Sequence, residues 1–403
     1  MIWLGWAVLL MGLAVWAPAR FQLQRPDNVL DWTGSWTNGA TAARHPYLQT
    51  PILKGHSAWD SEFYISIALH GYEDPAMRAA SPDSTPDAEV AGAKGEHPKW
   101  VSLNHAFFPL YPLAMGIIAR PLAAMGVDPV GAATLAGVIV SLIAALCAML
   151  AIADLARQDG DDGAGGEPLR AAFYLAIWPA AAFLTEVYTE APFLALSFGA
   201  LAMLKRGAWR WAAALAVAAV FTRATGVLLI VPFGLAWLSG DRRSVPRALF
   251  ALTPLFAYLV WRLFFGADFD FVETRYFGRW PFALGASWDS WMDALGTLFA
   301  GDNPQTRAYY LLEFAGLIAA LVTSALLWRR DRGLTLYGLA TLAVVATSGD
   351  ALGMHRYVLA MPSLFLAPAM LGRHPVFDRL WTLACSLGLA VETIIFSFGF
   401  WAG

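Results

Sequence analysis

The 403 residues are 58% hydrophobic and only 14% charged, with a mean hydropathy of +0.53 and a formal net charge of −3. Soluble domains carry about 25% charged residues, so the composition excludes that class and predicts an all-α, polytopic membrane protein. The near-balanced charge gives no general attraction to nucleic acid, so membrane lipids and not nucleic acid are the expected surroundings.

In chain order, the first apolar run covers 1–19 and lacks a basic leader, so it reads as an uncleaved span. A long loop, 20–106, follows. Within it, "HSAWDSEFYISIALHGY" (56–72) has the pattern of a short helix ended by Gly71, yet carries Asp60 and Glu62 beside Trp59 and Tyr64. The run 107–125 contains Pro109, Pro112, Pro121 and Arg120, which suits a re-entrant or interfacial helix better than a continuous span. Further apolar runs occupy 129–154, 170–186, 189–204, 209–222, 225–239, 247–266, 308–328, 334–350, 354–372 and 380–400. Cys147 and Cys385 both lie in such runs and give neither a disulfide framework nor metal spacing.

Basic residues cluster at Lys205/Arg206/Arg210, Arg242/Arg243/Arg247, Arg329/Arg330/Arg332 and Arg373/Arg379, which assigns those short loops to the cytoplasm. Alternation then gives about eleven spans in one integral membrane domain, 1–403, with the N-terminus inside and the C-terminus outside. The outer loops are 20–128, with juxtamembrane helices, and 267–307. If 107–125 crosses instead, one short run within 209–239 becomes a half-span.

On this topology the polar residues that need explaining share one face. Asp60 and Glu62 lie in the first outer loop, and Glu186, Tyr188 and Glu190 in the hairpin "TEVYTEAPF". Arg223 sits in "FTRATG", Arg275 and Arg279 in "ETRYFGRWPF", and Asp350, His355 and Arg356 in "GDALGMHRY". Arginines at short outer turns run against the positive-inside bias, and a bound anion is the simplest reason to keep them. Each residue also has a plainer use. Ser57 and Asp60 fit a capping box, Thr189 an N-cap, and Arg223 a snorkelling side chain. Their common side favours the functional reading.

The segments "WDSEFYISIALHGY", "HAFFPLYPL", "PAAAFLTEVYTEAPFLAL", "FTRATGVLL" and "MHRYVLAMPSLF" occur in the order found in the PIG-V family, which this sequence resembles from the first loop to about residue 365. That family comprises GPI mannosyltransferase II enzymes and bacterial relatives within the GT-C superfamily. The resemblance implies a GT-C-like fold and an active site on the periplasmic or extracellular side of a bacterial plasma membrane. It also implies transfer of mannose from a polyprenyl-phosphate donor to a lipid, glycan or protein acceptor. Asp60 matches the family's first-loop acid, and Tyr188, Thr189 and Glu190 match its Tyr-Thr/Ser-Glu motif. Arg223 with Gly226 matches its Arg-x-x-Gly turn, and Arg356 with Tyr357 its Arg-Tyr pair. The stretch Glu73–Lys99 matches nothing in the family.

Asp60 and Glu190 are accordingly the expected catalytic acids, with Asp60 as base for the acceptor hydroxyl. Glu62, Tyr64, His105, Tyr111, Tyr188, Arg223, Arg275, His355 and Arg356 are the expected substrate contacts. No cofactor is required by any motif, although Asp60 and Glu190 offer themselves to a divalent ion, Mg or Mn. Two rival functions stay open: a GT-C transferase for another sugar such as glucose or arabinose, and a transporter or membrane assembly factor. Transporters tend to show repeats and ionisable residues at mid-membrane, neither of which is visible here.

Overall fold

The computed structural model describes residues 1–23, 25–38, 44–50, 52–80, 100–159, 166–239 and 244–403. Arg242, Arg243 and most of the Glu73–Lys99 stretch lie outside these residues. The described chain is helical, apart from one antiparallel pair of three-residue strands, Arg78–Ala80 and Trp100–Ser102, with Arg78 opposite Ser102.

Five of the described helices are long and apolar enough to cross a membrane: Ile2–Phe21, Pro129–Gln158, Val245–Arg275, Pro304–Leu327 and Pro375–Ser397. With the shorter apolar helices beside them, they make a multi-pass membrane protein. Three of the remaining apolar runs are broken into shorter pieces. Residues 170–186 become Glu167–Ile177 and a 3-10 stretch, Pro179–Leu184, while 354–372 becomes Met354–Tyr357, Val358–Ala360 and Ser363–Leu371. The prolines explain much of this. Pro304 and Pro375 open their helices, where a missing N–H costs nothing, whereas Pro179 follows the end of one.

The segment expected to be re-entrant forms the 15-residue helix Leu110–Ala124, about 22 Å long against a hydrocarbon layer of about 30 Å. It lies along the early turns of Pro129–Asp159: the Tyr111 hydroxyl meets Gly137 O at 3.1 Å and Ser141 Oγ at 3.0 Å. The loop 267–307, expected on the outer face, is largely helical, because Val245–Arg275 runs on to Arg275 and Leu284–Ala300 forms a further helix that the apolar pattern did not announce. At 31 residues, Val245–Arg275 is about 46 Å long, well beyond a hydrocarbon layer of about 30 Å.

The bundle has two unlike ends. The helix Glu190–Lys205, 16 residues and about 24 Å long, connects them. At its C-terminal end Lys205 pairs with Asp331 at 2.6 Å, Arg206 with Asp154, and Arg330 with Glu167 at 2.9 Å. Its N-terminal end faces a cavity.

Candidate active site at the Asp60 cavity

The cavity, about 700 Å³, is enclosed by the first loop, residues 106–108, the 222–225 turn, the end of Val245–Arg275 and residues 350–357. Asp60 is presented to it by an unusual turn. Trp59 has φ +53°, a left-handed conformation disfavoured for a bulky side chain, and neighbouring contacts hold it there. Its ring stacks on Trp36 at 4.8 Å, meets Trp401 edge-on at 5.1 Å, and donates its indole N–H to Phe400 O at 3.2 Å. The Tyr188 hydroxyl staples the same turn, accepting the Asp60 N–H at 3.2 Å and donating to Ala58 O at 3.2 Å.

The capping-box alternative does not form. Asp60 precedes the helix Ser61–His70 without a side-chain cap bond, Ser57 Oγ has no hydrogen-bond partner, and the Ala58 N–H goes to Ser61 Oγ at 3.1 Å. Thr189 likewise makes no cap bond, its hydroxyl meeting Tyr64 OH at 3.2 Å. The Asp60 carboxylate is therefore free to face the cavity.

There it begins a chain of alternating charge. Asp60 Oδ2 lies 3.6 Å from Arg356 Nη1, Arg356 Nε lies 3.3 Å from Glu190 Oε1, and that oxygen accepts from Arg223 Nη1 at 2.7 Å. Glu190 Oε2 is buried without a hydrogen-bond partner. Burial lifts the Asp60 carboxyl above the ordinary aspartate range, Arg356 pulls it back, and Glu190 adds to the rise. Beyond this chain, three guanidiniums gather on Tyr357: Arg223 at 5.3 Å, Arg279 at 5.0 Å and Arg356 at 5.0 Å from the ring centre. The Tyr357 hydroxyl accepts from Arg279 and, at 3.3 Å, from Arg356.

Gly226 explains the tightness of the Arg223 turn. A Cβ there would lie 2.6 Å from Val220 N and 2.7 Å from Ala219 C, so only glycine lets this turn close against the preceding helix.

Residues 93–238 match the family described as "Mannosyltransferase (PIG-V)". The match takes in "HAFFPLYPL", the Glu190 hairpin and the Arg223 turn, while Asp60 and Arg356 lie outside it. GPI alpha-1,6-mannosyltransferase 2 of Cricetulus griseus is 32% identical over 231 residues, covering 56% of this chain and 39% of that protein. Its Mus musculus counterpart is 33% identical over 187 residues, 44% of this chain and 29% of that one. The chain thus spans well under half the length of these curated relatives. Among solved structures, two of the Archaeoglobus fulgidus oligosaccharyltransferase align over 99% of this chain, one tethered to an acceptor peptide and one with Zn and sulfate. Identities are 13% and 14%, coverage of those chains 55% and 52%, and TM-scores 0.41 and 0.42, too distant to assign a fold.

Of the residues expected from the PIG-V resemblance, Asp60, Tyr64, Arg223, Arg275 and Arg356 line the cavity, and Glu190 is tied to it through both arginines. Tyr188 acts from behind as the staple under Asp60. The others lie elsewhere. Glu62 points away to His45 Nδ1 at 2.7 Å, and His105 stacks on Tyr72 with Glu73 3.5 Å distant. Tyr111 is core, and His355 is fully buried beside Glu313. Arg279, Asp350 and Tyr357, noted in the sequence but not placed among the substrate contacts, also line the cavity with Trp59, and the lining residues that sequence reasoning missed are Glu273 and the tryptophans 32, 36 and 401. The density of arginine and acid in "ETRYFGRWPF" was the available signal for Glu273 and Arg279; the tryptophans gave none, since belt tryptophans look the same in sequence.

The Asp60–Glu190 pair offers a poor cradle for a divalent ion. The Arg356 guanidinium reaches toward both carboxylates, and among the described residues no cluster of three or more His, Cys, Asp or Glu could hold a metal.

Proposed function

We propose that the protein is a membrane glycosyltransferase that moves mannose from a polyprenyl-phosphate donor to an acceptor hydroxyl at the non-cytoplasmic face of a bacterial plasma membrane. The observation that carries this reading is the Asp60 carboxylate facing the cavity 3.6 Å from Arg356, with the guanidiniums of Arg223, Arg279 and Arg356 converging on Tyr357 beside it. A glycosyl phosphate needs both features. The acceptor oxygen attacks the anomeric carbon as its proton passes to Asp60. The bond from that carbon to the phosphate oxygen breaks, and the departing phosphate keeps the electron pair. Arg223, Arg279 and Arg356 stabilise the gathering negative charge without a metal ion. Phe107, Phe108, Phe269 and Phe277, on the cavity wall, suit the start of the lipid chain. Inversion at the anomeric carbon follows from the family resemblance.

Purified full chain incubated with polyprenyl-phosphate-mannose and a total membrane extract as source of acceptor hydroxyls should release polyprenyl phosphate, unaffected by EDTA. Release from the glucose or arabinose analogue alone would move the reading to another sugar. No release from any of the three would refute transferase activity with lipid-phosphate donors.

A further inference from the structure

Glu313 lies beneath the cavity, outside its lining, on the helix Pro304–Leu327, and is fully buried. A carboxylate in that setting is costly unless its oxygens are satisfied. Here they are satisfied by a single short turn. Oε1 accepts the Gly353 N–H at 2.7 Å, Oε2 accepts the His355 N–H at 3.0 Å, and Oε2 lies 3.1 Å from His355 Nδ1. Tyr309, one turn earlier on the same helix, accepts the Gly353 N–H at 3.1 Å. From the opposite side, His355 Nε2 meets Ala402 O at 2.8 Å. There is no slack between the helix and the turn, because a Cβ on Gly316 would lie 2.8 Å from His355 Cα.

The helix Met354–Tyr357 has only four residues, with Gly353 at φ +74° before it and no side-chain cap of its own. So short a helix does not hold its own geometry. Yet Arg356 and Tyr357, both on the cavity wall, project from it. A helix start normally takes its missing acceptor from an adjacent residue, whereas this one takes it from a carboxylate 40 residues earlier in the chain.

We propose that Glu313 is the positioning residue of the anion-binding wall: by receiving the N–H groups of Gly353 and His355, it aims Arg356 and Tyr357 into the cavity. It touches no substrate and acts through those two side chains. The inference rests on the reading of the cavity as a phosphate-ester site.

The test uses the full chain in detergent with farnesyl phosphate as probe, titrated calorimetrically, alongside thermal unfolding and donor kinetics. Glu313→Ala should weaken farnesyl phosphate binding at least tenfold per folded molecule. Glu313→Gln, which keeps one carbonyl acceptor, should recover part of that loss. Donor KM should rise in both variants, and kcat at saturating donor should fall with it, because Arg356 also stabilises the departing phosphate. A fall in Tm with unchanged Kd and KM would reduce Glu313 to a structural residue and overturn the proposal. Should Glu313→Ala fail to fold, a Glu313→Gln variant with wild-type Kd and KM would overturn it equally. If the wild type itself fails to bind farnesyl phosphate, the phosphate-site reading falls and this inference falls with it; a failure of this inference alone leaves wild-type binding intact.

Discussion

The two ends of the bundle use the same residue types for different purposes. At the Lys205 end the acids pair with bases near the surface, Asp331 with Lys205, Asp154 with Arg206 and, at 4.0 Å, with Arg157, and Glu167 with Arg330, and the pairs are at least partly open to solvent. Asp331 also caps the next helix, accepting the Leu334 N–H at 2.8 Å. At the cavity end the shared partners are buried. Arg356 is shared between Asp60 and Glu190, Glu190 Oε2 has no hydrogen-bond partner, and three guanidiniums converge on a neutral phenol ring. Pairing of the first kind completes a fold. The second kind brings three guanidiniums together on one cavity wall, where an anion can use them.

The largest effect expected from disturbing this contrast is on turnover. Asp60→Asn should lower sugar transfer by about 10²–10⁴-fold, because the base is lost. Tm should fall only slightly, since the carboxylate makes no cap bond and its 3.6 Å contact with Arg356 is partly open to solvent. A variant that is destabilised but turns over normally per folded molecule would make Asp60 structural after all. The pH–rate profile should show the same group. Burial raises the Asp60 carboxyl, so the residue stays protonated to a higher pH than an ordinary aspartate, and kcat/KM should fall as pH drops through that raised value. Asp60→Asn should flatten this acid limb, whereas an unchanged limb would assign it to another group.

Arg356→Gln should have the next largest effect, on both binding and stability. It leaves Glu190 with Arg223 alone and Asp60 without its nearest cation, and breaking a buried pair in this way costs about 3–5 kcal/mol. Donor KM should rise at least tenfold, and Tm should fall. An unchanged KM would leave Arg356 a purely internal counter-ion. Gly226→Ala should destabilise by about 1–3 kcal/mol, because its methyl group meets backbone that cannot retreat. An unaltered Tm would show that the turn has room the geometry denies. The smallest effect belongs to the other end: Asp331→Asn should cost at most about 1 kcal/mol and leave donor KM alone.

Much of this contrast was legible in sequence. The apolar runs became helices, and the arginines at short outer turns converged with Asp60 and Glu190 on one cavity, because charge in a mostly apolar chain is retained only where something pairs with it. Less legible was which side of each short helix faces inward. Glu62 is only two residues beyond Asp60, yet the helix turns it through most of a half-circle, away from the cavity and onto His45. His355 adjoins Arg356 and is likewise turned away, onto Glu313. Contacts between distant segments were invisible in principle. Nothing in the sequence around Trp401 connects it with Trp59, and Glu313 sits in an apolar run with no motif around it.

The central claim is that charge at the cavity end serves a ligand and charge at the Lys205 end serves the fold. Farnesyl phosphate binding to the full chain tests it most directly, with one cation neutralised at each end. Arg223→Gln should weaken Kd at least tenfold, and Lys205→Gln should leave it unchanged. Equal Kd values for the two variants, with both proteins folded, would contradict the account.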